Sequence, residues 1–208
     1  MAAANIEIQL SGGFDLRHIE RLLVQLDPLL HLDEQAVIGL DLSRLVFMGP
    51  SAMALFTAAS KRALDLGFVL SDSVLLLPNS PAVRNYLMRM NVFRELTAMS
   101  DDIERGEAVG FRPCEHFSDE IDYPTVAQGL TDALCERAQT DAVAQMAIRI
   151  AMDEISENVI HHADTDLGGF AAAQGWPKRS EFEVAIVDLG VGIKASLTAN
   201  PRPNPLPA

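Results

Sequence analysis

Glu154 and Asn158 are the first residues whose types and spacing could support chemistry. They lie four positions apart in residues 141–163, where apolar spacing predicts one long helix with Asp141 as its N-cap. About 40° separates them around the helix axis, so both side chains can point into one cleft. A carboxylate there could polarise a water, and an amide oxygen suits Mg²⁺. On the helix alone, an ordinary amphipathic helix remains the simpler interpretation, with a buried stripe at Ile148, Met152, Ile155 and Val159.

A second motif follows the apolar run 184–187, which predicts a buried strand that delivers Asp188 at its end. Gly190 and Gly192 come directly after it. An aspartate at this place can accept a hydrogen bond from the exocyclic amine of a base, and glycines let the backbone approach a ligand closely. Asp-x-Gly-x-Gly is a weak signal by itself, because many junctions between strand and turn contain these residues.

Taken together, AMDEISENVIHHA and DLGVG occur in the order and spacing of the N-box and first glycine box of the GHKL, or histidine-kinase-like, ATPases. The chain particularly resembles the serine kinases that act as anti-sigma factors. The resemblance implies ATP and Mg²⁺ as ligands. It makes Glu154 the general base, Asn158 the Mg²⁺ ligand and Asp188 the adenine reader, with Gly190 and Gly192 in the turn beside the nucleotide.

This resemblance covers residues 111–197 and then stops. Family members continue with a flexible lid, a second glycine-rich box that binds phosphates, and further strands, none of which follows residue 197. The last residues instead place proline at 201, 203, 205 and 207, which predicts an extended or disordered tail over 198–208. We therefore expect a truncation, a frameshift or a cloning boundary, and impaired nucleotide binding.

The first part of the chain, about residues 6–96, carries a different resemblance. VIGLDLSRLVFMGPSAMALFTAA and NSPAVRNYLMRMNVFREL resemble STAS domains, the fold of the anti-sigma factor antagonists. The resemblance makes Ser51 a phosphoacceptor candidate at the start of a helix. The usual Asp-Ser-Ser-Gly is replaced here by Gly49-Pro50-Ser51-Ala52, and capping of the helix by Ser51 is the alternative.

The elements around these motifs predict an α/β protein: a STAS-like mixed sheet with flanking helices, followed by an incomplete GHKL-type α/β sandwich. We assign residues 1–98 to the first domain, 99–110 to an acidic linker, 111–197 to the second domain and 198–208 to the tail. Predicted strands cover 6–10, 37–42 and 74–77, then 111–117, 168–176 and 181–188, with glycines 12 and 13 breaking the first. Predicted helices cover 16–26, 51–66, 80–96, 125–138 and 141–163.

The composition argues against several classes of protein. No apolar run approaches the roughly 20 residues that span a bilayer, so we expect a cytoplasmic protein without membrane contact. The net charge of −13 argues against nucleic-acid binding. Cys114 and Cys135 lack metal or redox spacing and are expected to be ordinary thiols. A metal cluster of His161, His162, Asp164 and Asp166 is disfavoured, because adjacent histidines on a helix point about 100° apart.

These observations predict a partner-switching regulator in which a STAS-like interaction module is joined to an ATP-binding module. The resemblance implies a regulatory protein partner of the sigma factor, anti-sigma factor or phosphatase kind, and it leaves a homodimer open. Two alternatives remain at this point. One is an active ATP-dependent serine kinase with Glu154 as base, and the other is a pure binding protein with a vestigial nucleotide site.

Overall fold

The computed structural model describes residues 4–31, 36–94, 110–163 and 165–192. Within them lie five α-helices and eight strands, so the α/β class is confirmed. The strands are β1 (Ala4–Gln9), β2 (Gly12–Phe14), β3 (Ala36–Asp41), β4 (Leu45–Met48), β5 (Val69–Leu76), β6 (Phe111–Phe117), β7 (Gly169–Trp176) and β8 (Glu181–Asp188). The helices are α1 (Ile19–Leu30), α2 (Pro50–Asp65), α3 (Pro81–Arg89), α4 (Tyr123–Ala138) and α5 (Ala142–His162).

Two small parallel sheets form the first half of the described chain. One has the order β1-β3-β5, and the other pairs β2 with β4, in place of the single mixed sheet that we predicted. The first strand ends before Gly12 and Gly13, as predicted, at Gln9. These glycines do not form a turn into a helix, however, because they belong to β2 and pair with β4, a strand that the sequence did not suggest. Gly12 has a positive φ of 84°, and the strand register shifts beside it. Glycine therefore permits the irregular backbone of this strand.

Several element ends differ from the predictions. The predicted helix at 16–26 is a short 3-10 turn, Leu16–His18, followed by α1. β5 begins five residues before the predicted start, because Val69 and Leu70 also pair with β3. A register shift separates these pairs from those of Leu75 and Leu76, and the polar residues between them hid the start of the strand. α3 ends at Arg89, since Asn91 adopts a left-handed φ of 58°. Residues 90–94, where this helix was predicted to continue, form turns, so the predicted extension is wrong over them. Positions 95 and 96, most of the acidic linker and the tail lie outside the described residues.

The second half contains an antiparallel sheet of order β6-β7-β8, with α4 and α5 packed together on one face. β7 and β8 form the predicted hairpin, joined by a 3-10 turn at Pro177–Arg179. Asp141 is the N-cap of α5 as predicted, and its Oδ1 accepts a hydrogen bond of 2.8 Å from the Ala144 amide. No helix in the described part of the chain is long and apolar enough to cross a membrane.

Both faces of β7 are buried, and this joins the two halves of the molecule. Ala171 and Ala173 face the core formed with α4 and α5. Phe170 and Ala172 face the opposite way and pack against α2, as the two-residue period of a strand requires. α2 therefore contributes to the core of the first half and also covers the second sheet, and it is buried along nearly its whole length.

Asp15 lies at the start of the 3-10 turn and supports a first prediction. The Arg17 side chain donates to Asp15 Oδ2 at 2.6 Å, and the Arg17 amide donates to Oδ1 at 2.9 Å. The hydrogen bond from the Arg17 side chain, helped by His18 and opposed by burial, lowers the pKa of Asp15 from 3.8 to about 2. A lowered carboxyl pKa stabilises the folded state above the unfolded pKa, and this contribution disappears as the pH falls through the folded value.

We therefore expect Asp15→Asn to remove part of the acid sensitivity of the protein between about pH 4 and pH 2. Urea unfolding of both proteins at pH 5, 3 and 2 measures the difference. Arg17→Gln should reduce the same pH dependence, because it removes the main partner of Asp15. Identical pH profiles for the parent and both variants would contradict the assigned cause.

Candidate functional site

The loop after β8 returns to the end of α5, and this brings the two sequence motifs together. Asp188 is exposed at the end of β8, and its Oδ1 accepts a hydrogen bond of 2.9 Å from the Gly190 amide. The amide of Val191 donates to the Ala163 carbonyl oxygen at 2.8 Å. A turn closed by the aspartate is thus attached to the last carbonyl groups of the helix, which would otherwise lack backbone donors.

Glycine is needed at positions 190 and 192 for different reasons. A Cβ added at Gly190 would lie 1.9 Å from the Ala163 carbonyl oxygen and 2.6 Å from its carbon, so only glycine fits where the loop crosses the helix end. Gly192 has a φ of 75° and no atom within 4 Å of an added Cβ. Gly190 allows close packing of backbone on backbone, whereas Gly192 allows a left-handed turn.

α5 presents Glu154 and Asn158 on its exposed side. At 1.5 Å per residue, Asn158 lies about 7.5 Å and Glu154 about 13.5 Å along the axis from Ala163. Asn158 is therefore the nearer of the two to the Asp188 loop. The predicted buried stripe is partly wrong, because Ile155 is 47% exposed while Ser156 is fully buried. Met152, Ser156 and Val159, which are three or four residues apart, share the side of α5 that faces the protein interior.

Carboxylates dominate the surroundings of Glu154. The Arg149 guanidinium forms an ion pair with Asp153 at 2.6 Å, and His161 approaches Glu157 at 3.6 Å. Loss of hydration, followed by the nearby carboxylates of Glu157 and Asp153, raises the pKa of Tyr123. Such a surface favours a cation and repels an unaccompanied triphosphate. The exposed amide of Asn158 is a hard oxygen donor, which fits Mg²⁺, although the described residues contain no group of three His, Cys, Asp or Glu side chains that could hold a metal.

Ser51 lies in the first turn of α2 and is only 7% exposed. It does not cap the helix, because Gly49 occupies the N-cap position and offers no side chain. The Ser51 amide and the Ser51 hydroxyl both donate to Glu183 Oε1 on β8, at 2.9 and 2.7 Å. The phosphoacceptor candidate is therefore turned toward the second half of the protein rather than toward solvent.

Glu183 is the residue of this contact that sequence reasoning missed. Its place in an alternating strand suggests a solvent-facing carboxylate. Ala185 and Val187, which share its face by the two-residue period, pack in the cluster against α2. A glutamate on the same face as a buried alanine and a partly buried valine was the available signal for a partner within the protein.

Aromatic side chains complete this junction between the halves. Phe47 stacks on Tyr86 with ring centroids 6.1 Å apart, and meets Trp176 edge-on at 6.1 Å. The Tyr86 hydroxyl is buried and makes no hydrogen bond with the described residues. Burial raises the pKa of Tyr86, and the carboxylate of Glu183 acts in the same direction. Tyr86 therefore stays neutral at physiological pH.

Two neighbouring grooves between α4 and α5 have volumes of about 490 and 410 Å³. Gln128, Asp132 and Arg149 line both of them. Neither groove is lined by Glu154, Asn158 or Asp188, so the residues predicted for nucleotide binding lie on open surface outside these two depressions.

Cys114 and Cys135 are buried and form no disulfide, in agreement with the prediction of ordinary thiols. Of the predicted site residues, the fold joins the Asp188 to Gly192 turn to the end of the helix that carries Asn158 and Glu154. The phosphoacceptor candidate Ser51 lies elsewhere, against Glu183. No family model, no curated protein and no solved structure matches this chain.

Proposed function

We propose that this chain is a partner-switching regulatory protein, in which a STAS-like interaction module is joined to an ATP-binding module of the histidine-kinase-like type. The observation that supports the second module best is the attachment of the glycine loop to α5. The Val191 amide binds the Ala163 carbonyl oxygen, and the fit at Gly190 excludes a side chain. A loop fixed in this way presents Asp188 beside the helix end that carries Asn158.

In this proposal the residues divide the recognition of Mg·ATP between them. Asp188 accepts from the adenine amine, Asn158 contributes one oxygen to Mg²⁺, and the glycine turn lets the nucleotide approach the backbone. Bound Mg²⁺ would neutralise the charge that the acidic surface of α5 otherwise opposes. Glu154 lies about two turns before the end of the helix and is the proposed general base, should phosphoryl transfer occur.

A pure protein-binding role, with a vestigial nucleotide site, is favoured by one specific observation. Glu154, Asn158 and Asp188 are all exposed, whereas ligand sites usually enclose most of a small molecule. The two proposals agree on the regulatory role of the protein and differ on whether nucleotide binds.

Calorimetric titration of Mg·ATP distinguishes them. We expect the parent chain to bind, and Asp188→Asn to bind at least about tenfold more weakly, because a hydrogen bond to a charged group contributes about 1.5–3 kcal/mol. Asp132→Asn, an exposed carboxylate on α4, is the matched control and should bind like the parent.

The absence of heat from the parent chain would reject the nucleotide site and support the protein-binding role. Equal affinity of the parent and Asp188→Asn would instead reject Asp188 as the adenine reader.

A further inference from the structure

Two arginines line one groove between α4 and α5, although the chain as a whole is strongly acidic. Arg112 of β6 and Arg149 of α5 both line the groove of about 410 Å³. Asp and Glu outnumber Lys and Arg by 29 to 16 in the sequence, so this pair of guanidinium groups is a local exception. Guanidinium groups bind carboxylates through paired N–H donors, so this groove fits an anionic group of a ligand.

Gly129 lies within α4 and makes room for the Arg112 side chain. A Cβ added at Gly129 would lie 2.2 Å from Arg112 Nε and 2.3 Å from its Cζ and Nη2. The guanidinium group therefore lies directly against the helix backbone. Glycine inside a helix is less favourable than alanine, and here it gives this guanidinium a defined place.

Both guanidinium groups keep donors for a ligand. Arg112 Nε is buried without a hydrogen-bond partner in the described part of the chain, and Glu115 approaches Arg112 Nη2 only at 3.5 Å. Arg149 donates to Asp153 Oδ2 through Nε at 2.6 Å, which leaves its terminal N–H groups to other acceptors. A carboxylate between the two arginines would therefore find donors on both sides.

Carboxylates of α4 follow these arginines along the helix. Asp132 is exposed and lines both grooves, and Glu136 is exposed and lines the groove of about 490 Å³. At 1.5 Å per residue, Asp132 lies about 4.5 Å and Glu136 about 10.5 Å along the axis from Gly129, against which the Arg112 guanidinium lies. The two grooves therefore present one cation-lined position followed by two carboxylates.

α5 supplies the opposite wall and joins the two grooves. Arg149 lines both of them, and Met146, which is 62% exposed, lines the same groove as Glu136. Met146 and the buried Cys135 give an apolar surface between the charged positions. Such a surface suits the methylene groups of a long side chain that carries a charge at its end.

We propose that the two grooves form one site for a free dibasic α-amino acid of the arginine or lysine type. The α-carboxylate binds between Arg112 and Arg149, and the α-ammonium group pairs with Asp132. The cationic end of the side chain pairs with Glu136, while its methylene groups lie on Met146. The three charged groups of the ligand occur in the same order as their partners along α4.

This inference does not rest on the proposed function. Glu154, Asn158 and Asp188 line neither groove, so the amino acid and the nucleotide would occupy different places.

Nuclear magnetic resonance titration of the ¹⁵N-labelled full chain with L-arginine tests the proposal, because amide shifts both locate a weak ligand and measure its affinity. We expect saturable shifts in α4 and α5. Agmatine, which lacks the carboxylate, should bind at least about tenfold more weakly, since it loses charge-assisted hydrogen bonds to two arginines. L-citrulline, which keeps the shape of arginine without its side-chain charge, should bind about three- to fivefold more weakly, because the pair with Glu136 is exposed.

Gly129→Ala tests the carboxylate end without removing any charge. Its methyl group would displace the Arg112 guanidinium, which is the far end of a flexible side chain, and alanine favours the helix, so the variant should fold. We expect it to weaken L-arginine at least about threefold and to leave the affinity for agmatine unchanged, since agmatine has no carboxylate to lose its partner.

Glu136→Gln tests the other end of the site. It should weaken L-arginine about three- to fivefold and leave L-citrulline unaffected, because only the charged side chain pairs with the glutamate. Glu181→Gln makes the same change at an exposed glutamate of β8 outside both grooves, and as the matched control it should bind L-arginine like the parent chain.

The absence of saturable shifts in α4 and α5 at millimolar L-arginine would overturn the proposal. Agmatine that binds as tightly as L-arginine would also overturn it, because the acidic surface would then be attracting any cation. Equal weakening of L-arginine and L-citrulline by Glu136→Gln would contradict the assigned orientation of the ligand.

Discussion

Gly190→Ala is expected to lower the free energy of unfolding by about 2–4 kcal/mol, which is at the severe end for a single methyl group. The added Cβ would lie 1.9 Å from the Ala163 carbonyl oxygen, and the obstacle is helix backbone rather than a flexible side chain. Relief of this clash requires the loop to leave the helix end and to lose the hydrogen bond from the Val191 amide. Urea denaturation measures the effect, and any binding of Mg·ATP should weaken in parallel.

Gly192→Ala is the control for Gly190→Ala, because it makes the same substitution two residues away. No atom lies within 4 Å of an added Cβ there, so only the positive φ of 75° opposes alanine. We expect a loss of about 1–2 kcal/mol for Gly192→Ala. A Gly190 variant as stable as the Gly192 variant would show that the loop does not lie against α5 in solution.

Ala54→Leu is expected to lower the free energy of unfolding by about 1–3 kcal/mol. Ala54 is fully buried between α2 and the second sheet, where Ala172 and Ala185 leave no room for a larger side chain. The larger residue must push the helix away from the sheet, which also strains the Ser51–Glu183 contact one turn earlier. Denaturation, together with Trp176 fluorescence, measures both effects.

Ala147→Leu makes the same change on α5 at an exposed position and is expected to alter stability by less than about 0.5 kcal/mol. Comparable stability of the two variants would mean that helix and sheet are not packed closely at Ala54. If Ala54→Leu lowers stability without changing Trp176 fluorescence, the strain lies within the first half of the protein.

Local signals in the sequence predicted the parts of the fold that depend on neighbouring residues. Asp141 caps α5 as expected, because an aspartate before a helix needs only the amides of the next turn. The hairpin of β7 and β8 also follows from residues close in sequence. The α5 helix and its connection to the following strands were therefore predictable.

Contacts between distant residues were not predictable from periodicity. The pairing of β2 with β4 depends on a partner about thirty residues away, and nothing in a two-glycine stretch identifies that partner. The alanines of α2 predict a helix with a small-residue face but do not say what covers it. The hydrogen bond from Ser51 to Glu183 was unpredictable for the same reason, since the acceptor comes from another sheet.

For the candidate nucleotide site, the sequence predicted the order of the elements along the chain. It predicted less well which residues of α5 are buried and which are exposed. Asp188 and Gly190 belong to one turn directly after β8, as an aspartate followed by glycines suggested. Ile155 is exposed although it fits an apolar stripe, because the inward direction of α5 is set by the sheet and α4 rather than by hydrophobicity alone.

The placement of α2 between two cores has a consequence for synthesis on the ribosome. Ser51 and Glu183 are separated by 132 residues, and at roughly 5–20 residues per second the acceptor emerges about 7–26 s after the helix. During that interval the alanine face of α2 has no sheet to cover it, and the helix lacks its acceptor. Newly made chains are therefore most vulnerable to aggregation and to proteases before β8 is complete.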